Sequence, residues 1–522
     1  MDNQINIHQN ELCNKLWATA TAIRSNMEAY EFKNYILGML FYYYLCDRTE
    51  KYMSNLLKDN NVDYQTAWND PKYKESVVEG SLRDLGFVIE PQFLFGNFVK
   101  MIENNSFDIE FLKKAINSLT ESTVGNDSQQ AFENLFSDMQ LDSTKLGHKV
   151  EDRSNVMSKI IVSLYGINLS VENTKIDILG NAYEYLIDQF SSNAGKKGGE
   201  FYTPHGVAEL VCRLACIGLT DVKAAADPTC GSGSLLLRLK NCANVHSYYG
   251  QELNPTTYNL ARMNMILRGV PYSNFAIYNG DTLEHDHFET AKETKYRVQV
   301  ANPPYSLKWS ADSKFMEDPR FKQYGKLAPK AKADFSFIQH MVYHMDEDGR
   351  IAVVLPHGVL FRDSSEGTIR KYLIEKMNVI DAVIGLPDSL FYATSIPVCV
   401  LVLRNDRGDN KDNILFIDAS KDYESGKKQN ILREKDVDKI VETYAKRENV
   451  DKFAHVADMS EIIENGYNLN IPRYVDTFEG EKPVDLYAVA QCINRLDKET
   501  KKAKDAAEWY LDQLGLNFMF DE

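Results

Sequence analysis

The sequence predicts an α/β protein: a sheet domain covered by helices, preceded by an all-helical domain and followed by a helical tail. Three observations carry this. Apolar residues keep helical spacing through the first third of the chain, short apolar runs alternate with amphipathic stretches between about 200 and 420, and charged helical patterning returns after about 430. At 522 residues the chain exceeds one ordinary core, since domains hold roughly 100–200 residues each. We place the boundaries at 1–165, 166–475 and 476–522.

In the helical domain, Leu12, Leu16, Ile23, Phe32, Ile36, Met39 and Leu40 fall near helical spacing, and alternating β-branched runs are rare. The most apolar stretch, YILGMLFYYYLC over 35–46, is 12 residues long. A membrane span needs about 20, so a buried core helix is predicted. Polar stretches at 59–80 and 120–130 read as connections. The N-terminus MDNQINIHQN lacks the basic-then-apolar pattern of a secretion signal. Eight scattered cysteines without a CxxC pair fit reduced, mostly buried thiols. A cytoplasmic chain without a membrane partner is the expectation.

A loop rich in Lys and Gly, Lys196-Lys197-Gly198-Gly199, opens the α/β region. Strands are predicted at 222–227, 246–252, 297–302, 349–356, 379–387, 398–405 and 413–419, with amphipathic helices such as 256–267 and 335–345 between them. This alternation predicts a mainly parallel sheet covered on both faces. In the tail, Leu486, Val489, Ile493 and Leu496 recur at three- and four-residue intervals. That pattern suits a surface helix and a partner-docking helix equally.

The chain holds 59 Lys and Arg against 75 Asp and Glu, a net charge of −16. Polyanions repel it at long range, so contact with nucleic acid requires a local basic patch or a basic partner. Segment 308–332 is such a patch, with six lysines and Arg320 against Asp312, Glu317 and Asp318. Binding of phosphates is one use for it and a solvated loop the other.

Two motifs carry chemistry. Asp227-Pro228-Thr229-Cys230-Gly231-Ser232-Gly233-Ser234 follows a predicted strand and leads into the apolar LLLRL. Glycines at such a junction let the backbone approach a ligand at a helix N-terminus, although a tight turn alone also needs them. Glu252 ends the next predicted strand, where an acid can accept from both hydroxyls of a ribose. Leu236 stands where a dinucleotide fingerprint has its third glycine. A cofactor with one ribose and no pyrophosphate is therefore favoured, and S-adenosylmethionine fits.

The second motif is Asn302-Pro303-Pro304-Tyr305, again directly after a strand. The prolines end the strand and stiffen the backbone. A conjugated amino group is a poor nucleophile because its lone pair is delocalised. Acceptors for its two hydrogens, here the Asn302 side-chain oxygen and the Pro303 carbonyl, draw the nitrogen toward a tetrahedral geometry. Tyr305 offers a ring to stack on a planar substrate. A base in a duplex must first leave the stack, at a cost of a few kcal/mol that stacking offsets.

With Glu252 and the Gly-rich loop, NPPY resembles the amino-methyltransferases that use S-adenosylmethionine. Glu200-Phe201-Tyr202-Thr203-Pro204, followed by His205, lies upstream of that loop as in the gamma-ordered adenine methyltransferases, where it closes over the cofactor. Locally, Thr203 is placed to cap a helix and Pro204 to occupy its first turn. Asn279-Gly280-Asp281-Thr282 is similar to the family segment whose acid reaches the adenine of the cofactor. FKNYILGMLFYYYL, NAYEYLIDQF, KGGEFYTP, DPTCGSGSLLL, GQELNPTTYNLARMNM, NPPYSLKW and APKAKADFSF together resemble the modification subunit of type I restriction–modification systems. The likeness runs from 32 to 337, and the tail matches only in helical character. It implies a Rossmann-like methyltransferase that modifies N6 of adenine in double-stranded DNA with S-adenosylmethionine as cofactor and no metal. It also implies two modification subunits with one separate specificity subunit that reads the target, and a separate restriction subunit. In that reading the 231–234 loop faces the methionine end of the cofactor, Glu252 the ribose and Asp281 the adenine, and Asp227 is a further cofactor-binding residue. Asn302, Pro303, Pro304 and Tyr305 would form the catalytic motif. The sequence carries no GxxxxGK[ST] phosphate loop for a motor.

Other motifs argue for less. His340 and His344 have the i, i+4 spacing of a zinc helix but lack its glutamate and an evident third ligand, so a helix face is expected. No Pro-Cys dipeptide supports cytosine-C5 transfer, and no GxSxG elbow supports a serine hydrolase. Two alternatives stay open at this stage: a methyltransferase acting on protein glutamine, and an assembly subunit without catalysis.

Overall fold

The computed structural model describes residue 17 and residues 29–165, 167, 180, 183–187, 203–391, 395–426, 429–477 and 485–516. The chain divides into two compact units, Met1–Val475 and Asp476–Glu522.

The first unit begins with helices. In α1 (Ala29–Leu56), Phe32, Ile36, Leu37, Met39, Leu40, Phe41, Tyr42 and Leu45 are fully buried. A helix apolar on every face must be enclosed by other helices. Here Phe41 and Tyr42 meet Phe136 and Phe98 at ring-centroid distances of 5.8 Å each. The apolar stretch at 35–46 is thus the core helix that its length predicts. Tyr44 of α1 donates to the carbonyl of Ile266 at 3.2 Å, and one apolar core runs from Phe32 through Leu260 to Val298. The helical region and the sheet share that core.

Nine strands form the main sheet: β1 (Asp221–Asp227), β2 (Asn244–Glu252), β3 (Phe275–Asn279), β4 (Tyr296–Ala301), β5 (Met345–Pro356), β6 (Ile380–Gly385), β7 (Val398–Arg404), β8 (Asn413–Asp418) and β9 (Ala454–Asp458). Their order is β9-β8-β6-β7-β5-β4-β1-β2-β3. The β3-β2-β1-β4-β5 half is parallel throughout. β7 lies antiparallel between β5 and β6, and β9 antiparallel to β8. β6 is buried at all six positions, as expected of a strand with both faces covered. From β1 the chain builds outward to β3, then returns to place β4 on the other side of β1. This reversal is the topological switch point, where open α/β sheets bind ligands beyond the carboxyl ends of their strands.

Helices α2 (His205–Cys216), α3 (Ser234–Arg238), α4 (Pro255–Leu267) and α5 (Asp334–Tyr343) support that edge. All seven predicted strands are present. The sequence reading missed β3, a five-residue strand, and β9, which lies in a region read as helical. Met345, assigned to a helix, opens β5 instead: α5 ends at Tyr343, and the first turn of β5, rich in Asp and Glu, is partly exposed.

The second unit contains α6 (Leu486–Gln513), capped by Asp485, whose carboxylate accepts from the amides of Tyr487 and Ala488. No residue of α6 is buried, and Leu486, Val489, Ile493 and Leu496 are exposed. Among the described residues no helix is long and apolar enough to cross a membrane.

Candidate active site

The loops after β1, β2, β3 and β4 meet at the switch point and enclose a cavity of about 470 Å³. Of the residues predicted from sequence, Thr203, Asp227, Gly231, Ser232, Ser234, Glu252, Asp281, Asn302 and Pro304 line it. Gly233, Pro303, Pro204, His205 and Tyr305 lie beside it in the same loops and in α2 without lining it. Glu200, Phe201 and Tyr202 lie outside the described residues.

The β1 loop turns sharply. Gly231 and Gly233 both adopt left-handed backbone, with φ of 55° and 79°. A side chain would strain either position, so the glycine requirement read from sequence is conformational as well as spatial. The turn aims the Gly231 amide at Glu252, whose Oε2 accepts from it at 3.0 Å while Oε1 accepts from Asn254 at 2.8 Å. The end of β2 is thereby locked to the β1 loop. Each carboxylate oxygen keeps a further lone pair for a ligand hydroxyl. Burial raises the Glu252 carboxyl above its usual range despite these amide donors. Asp227 is buried more deeply, and burial pushes it up to about 8, against the amide of Thr229 and with help from nearby Glu252. The Asp281 Oδ1 accepts from the amide of Leu283 at 2.9 Å and closes the β3 loop.

At the end of β4, the Asn302 side chain is held from both sides. Its Nδ2 donates to Thr203 Oγ1 at 3.1 Å, and its Oδ1 accepts from the Tyr305 hydroxyl at 2.8 Å. The amide oxygen therefore faces Tyr305, and one of its two lone pairs remains for another donor. The Tyr305 ring meets Phe391 edge-on at 5.9 Å and 86°. Thr203 does not cap α2. The helix begins one residue later than expected, with Pro204 at its N-cap and no side-chain cap, which frees the Thr203 hydroxyl for Asn302. Sequence reasoning missed Phe391 and the partnership of Thr203 with Asn302, which spans 99 residues.

Two further readings change. In the basic segment, Arg320 is buried and donates to the carbonyls of Thr282 and Leu283 at 2.8 and 2.9 Å. It supports the β3 loop and is closed to a phosphate. Lys314 pairs with Glu284 and Lys322 with Glu317, whereas Lys308, Lys326 and Lys330 are exposed. The histidine pair does gain a third potential ligand, the acid Asp286, with ligand atoms of the three within 4.8 Å of one another. Arg320 already fills that space, 3.7 Å from Asp286 Oδ2 and 3.2 Å from His340 Nδ1. Burial opposes ionisation of Asp286, but the His344 hydrogen bond and the nearby cationic groups hold it down at about 2. The cluster is a buried ion-pair network that braces α5 against the β3 loop.

Residues 174–483 match the N-6 DNA Methylase family, over more than half of the sequence. The chain belongs to that family. Residues 12–164 match the HsdM N-terminal domain. The MpnII methylase subunit of a type I restriction enzyme from Mycoplasma pneumoniae is 36% identical, with 99% of each chain covered. The MjaIX methylase subunit from Methanocaldococcus jannaschii is 29% identical over 97% of this chain and 92% of its own. A crystal structure of a type I methyltransferase subunit from Streptococcus thermophilus superposes with a TM-score of 0.83 at 42% identity, covering 90% of this chain and 100% of that one. This methylase is thus the modification subunit of a type I restriction–modification system and an adenine-specific DNA methyltransferase. A glutamine methyltransferase is set aside by the same matches.

Proposed function

We propose that this methylase transfers a methyl group from S-adenosylmethionine to N6 of an adenine flipped out of double-stranded DNA, at a target read by a separate specificity subunit. The observation that carries the proposal is one cavity shared by Glu252, the 231–234 loop, Asp281 and Asn302.

The donor set fits the cofactor. Two buried carboxyls raised above their usual range, Asp227 and Glu252, suit a ligand that brings positive charge and hydroxyl donors. Glu252 would hold the ribose, Asp281 the adenine end, and the 231–234 loop with Asp227 the methionine end. The bound cofactor supplies an electrophilic sulfonium methyl: the N6–C bond forms as the S–C bond breaks, the neutral thioether departs and the proton lost by N6 passes to solvent, so the transfer needs no metal.

The chain's own part is to bind the base and make N6 nucleophilic. Asn302 Oδ1 and the Pro303 carbonyl accept its two hydrogens, and Thr203 keeps the Asn302 amide oriented for this. The incoming N6–H shares or replaces the hydrogen bond that Tyr305 now gives Asn302. The rings of Tyr305 and Phe391 offset the unstacking of the base.

The assembled enzyme in this reading holds two methylase subunits, one specificity subunit and the restriction subunit, and acts in the cytoplasm. In this reading segments 1–165 and 166–475 of the first unit serve as helical and catalytic domains, and 476–522 as docking tail. Transfer of labelled methyl from S-adenosylmethionine to unmethylated DNA tests the reading, with and without the specificity subunit. Label is expected only when both subunits are present. Asn302→Ala should keep cofactor affinity and lose about 100–1,000-fold in rate. Glu252→Ala should weaken cofactor binding about 10–100-fold. Unlabelled DNA from an intact complex that binds the cofactor would contradict the proposal and leave the assembly role.

A further inference from the structure

The residue after the NPPY motif is held in an unfavourable backbone conformation from elsewhere in the fold. Ser306 has φ of 52°, in the left-handed region that a side chain disfavours. Its amide donates to Asp334 Oδ1 at 2.8 Å. The following residues are stitched to the segment before α5: Ala333 donates to the Leu307 carbonyl at 2.9 Å and Trp309 to the Lys330 carbonyl at 3.1 Å. The peptide joining Tyr305 to Ser306 is therefore fixed by a side chain that lies 28 residues away.

Asp334 is itself braced. It is 1% exposed, and its Oδ2 pairs with Arg362 Nη2 at 2.5 Å. Arg362 also binds Glu366 through two nitrogens, at 2.7 and 2.8 Å, and Glu366 is 2% exposed. Gly358 leaves room for this arrangement, because a Cβ there would collide with the Arg362 guanidinium. Two buried acids thus share one arginine, and neither of them lines the cavity. An acid at the start of a helix commonly stabilises it through the helix dipole. This one turns its oxygen to the catalytic loop: Ala333, the N-cap of α5, makes no side-chain cap, and Asp334 Oδ1 binds Ser306.

We infer that Asp334, held by Arg362 and Glu366, is a positioning residue that sets the Asn302–Tyr305 loop in the geometry needed for methyl transfer. The inference rests on the proposed function. Asp334 does not touch the base or the cofactor; it acts through Ser306 on Tyr305 and the Pro303 carbonyl. A misplacement of about 1 Å there is enough to cost about 100-fold in rate.

The test uses the methylase with its specificity subunit in single-turnover methyl transfer. Asp334→Ala should slow the chemical step about 100-fold while cofactor and DNA affinities stay at wild-type values. Asp334→Asn, which keeps an acceptor for Ser306 but loses the charge facing Arg362, should fall between the two. Ser306→Gly removes the steric objection to the left-handed conformation, so adding it to Asp334→Ala should restore much of the rate. A stabilising role in α5 alone predicts no such rescue. Wild-type speed in Asp334→Ala, parallel loss of cofactor affinity, or failure of Ser306→Gly to rescue would each overturn the inference. A wild-type complex that transfers no methyl would instead remove the functional reading on which it rests.

Discussion

At Asp227 burial outweighs the backbone hydrogen bond from Thr229 and lifts the carboxyl to about 8. The unliganded site therefore holds a proton near neutral pH. S-adenosylmethionine is cationic, and a charged Asp227 binds it better than a neutral one. Cofactor affinity should rise as pH increases from about 6 to about 9, with release of a proton on binding. Calorimetry in buffers of different ionisation enthalpy measures that release, and Asp227→Asn should flatten the pH dependence. The same shift has a consequence for folding. A carboxyl raised in the folded state stabilises fully below its unfolded value near 4 and loses that stability as pH rises through 8. Melting of the unliganded chain should thus fall across that interval, and Asp227→Asn should remove its share of the fall. Residues of this kind were legible as candidates because the motif residues adjoin one another. Thr203 and Phe391 were not legible in their roles, since only folding brings them to Asn302 and Tyr305.

The elements show why strands were easier to read than their partners. β6 and β7 and the carboxyl-terminal halves of β1 and β5 are buried on both faces, so they appear as near-continuous apolar runs. β3 alternates buried and half-exposed positions over five residues, and β9 has only two buried positions in AHVAD, so neither stands out from a loop. The antiparallel placement of β7 is a property of the sheet that no local pattern encodes. The basic segment after β4 shows the same limit: its composition is visible, but only the fold takes Arg320 out of the count. The lysines that remain include Lys326, Lys330 and Lys332. Charge reversal of these three to Glu should weaken DNA binding by the assembled enzyme. It should also lower the slope of log affinity against log salt, by about 0.9 for each phosphate that the segment no longer neutralises. Unchanged, equally salt-dependent affinity would return this segment to a solvated loop.

The whole molecule carries a net charge of −16, so a basic partner or a local basic surface must bring it to DNA. The C-terminal unit offers one surface for such a partner: α6 exposes Leu486, Val489, Ile493 and Leu496 at helical spacing. Deleting residues after about 480 should abolish co-purification with the specificity subunit while 1–475 stays folded by its own core. A retained complex would exclude α6 as the docking element. The central claim is chemical, however, and one measurement reaches it directly. Nucleoside mass spectrometry would be applied to plasmid DNA from a host without adenine methylation that co-expresses the methylase and its specificity subunit. The account predicts N6-methyldeoxyadenosine with the wild-type chain and none with Asn302→Ala. Methyl groups on another base, or N6-methyldeoxyadenosine that persists in the Asn302→Ala strain, would contradict it.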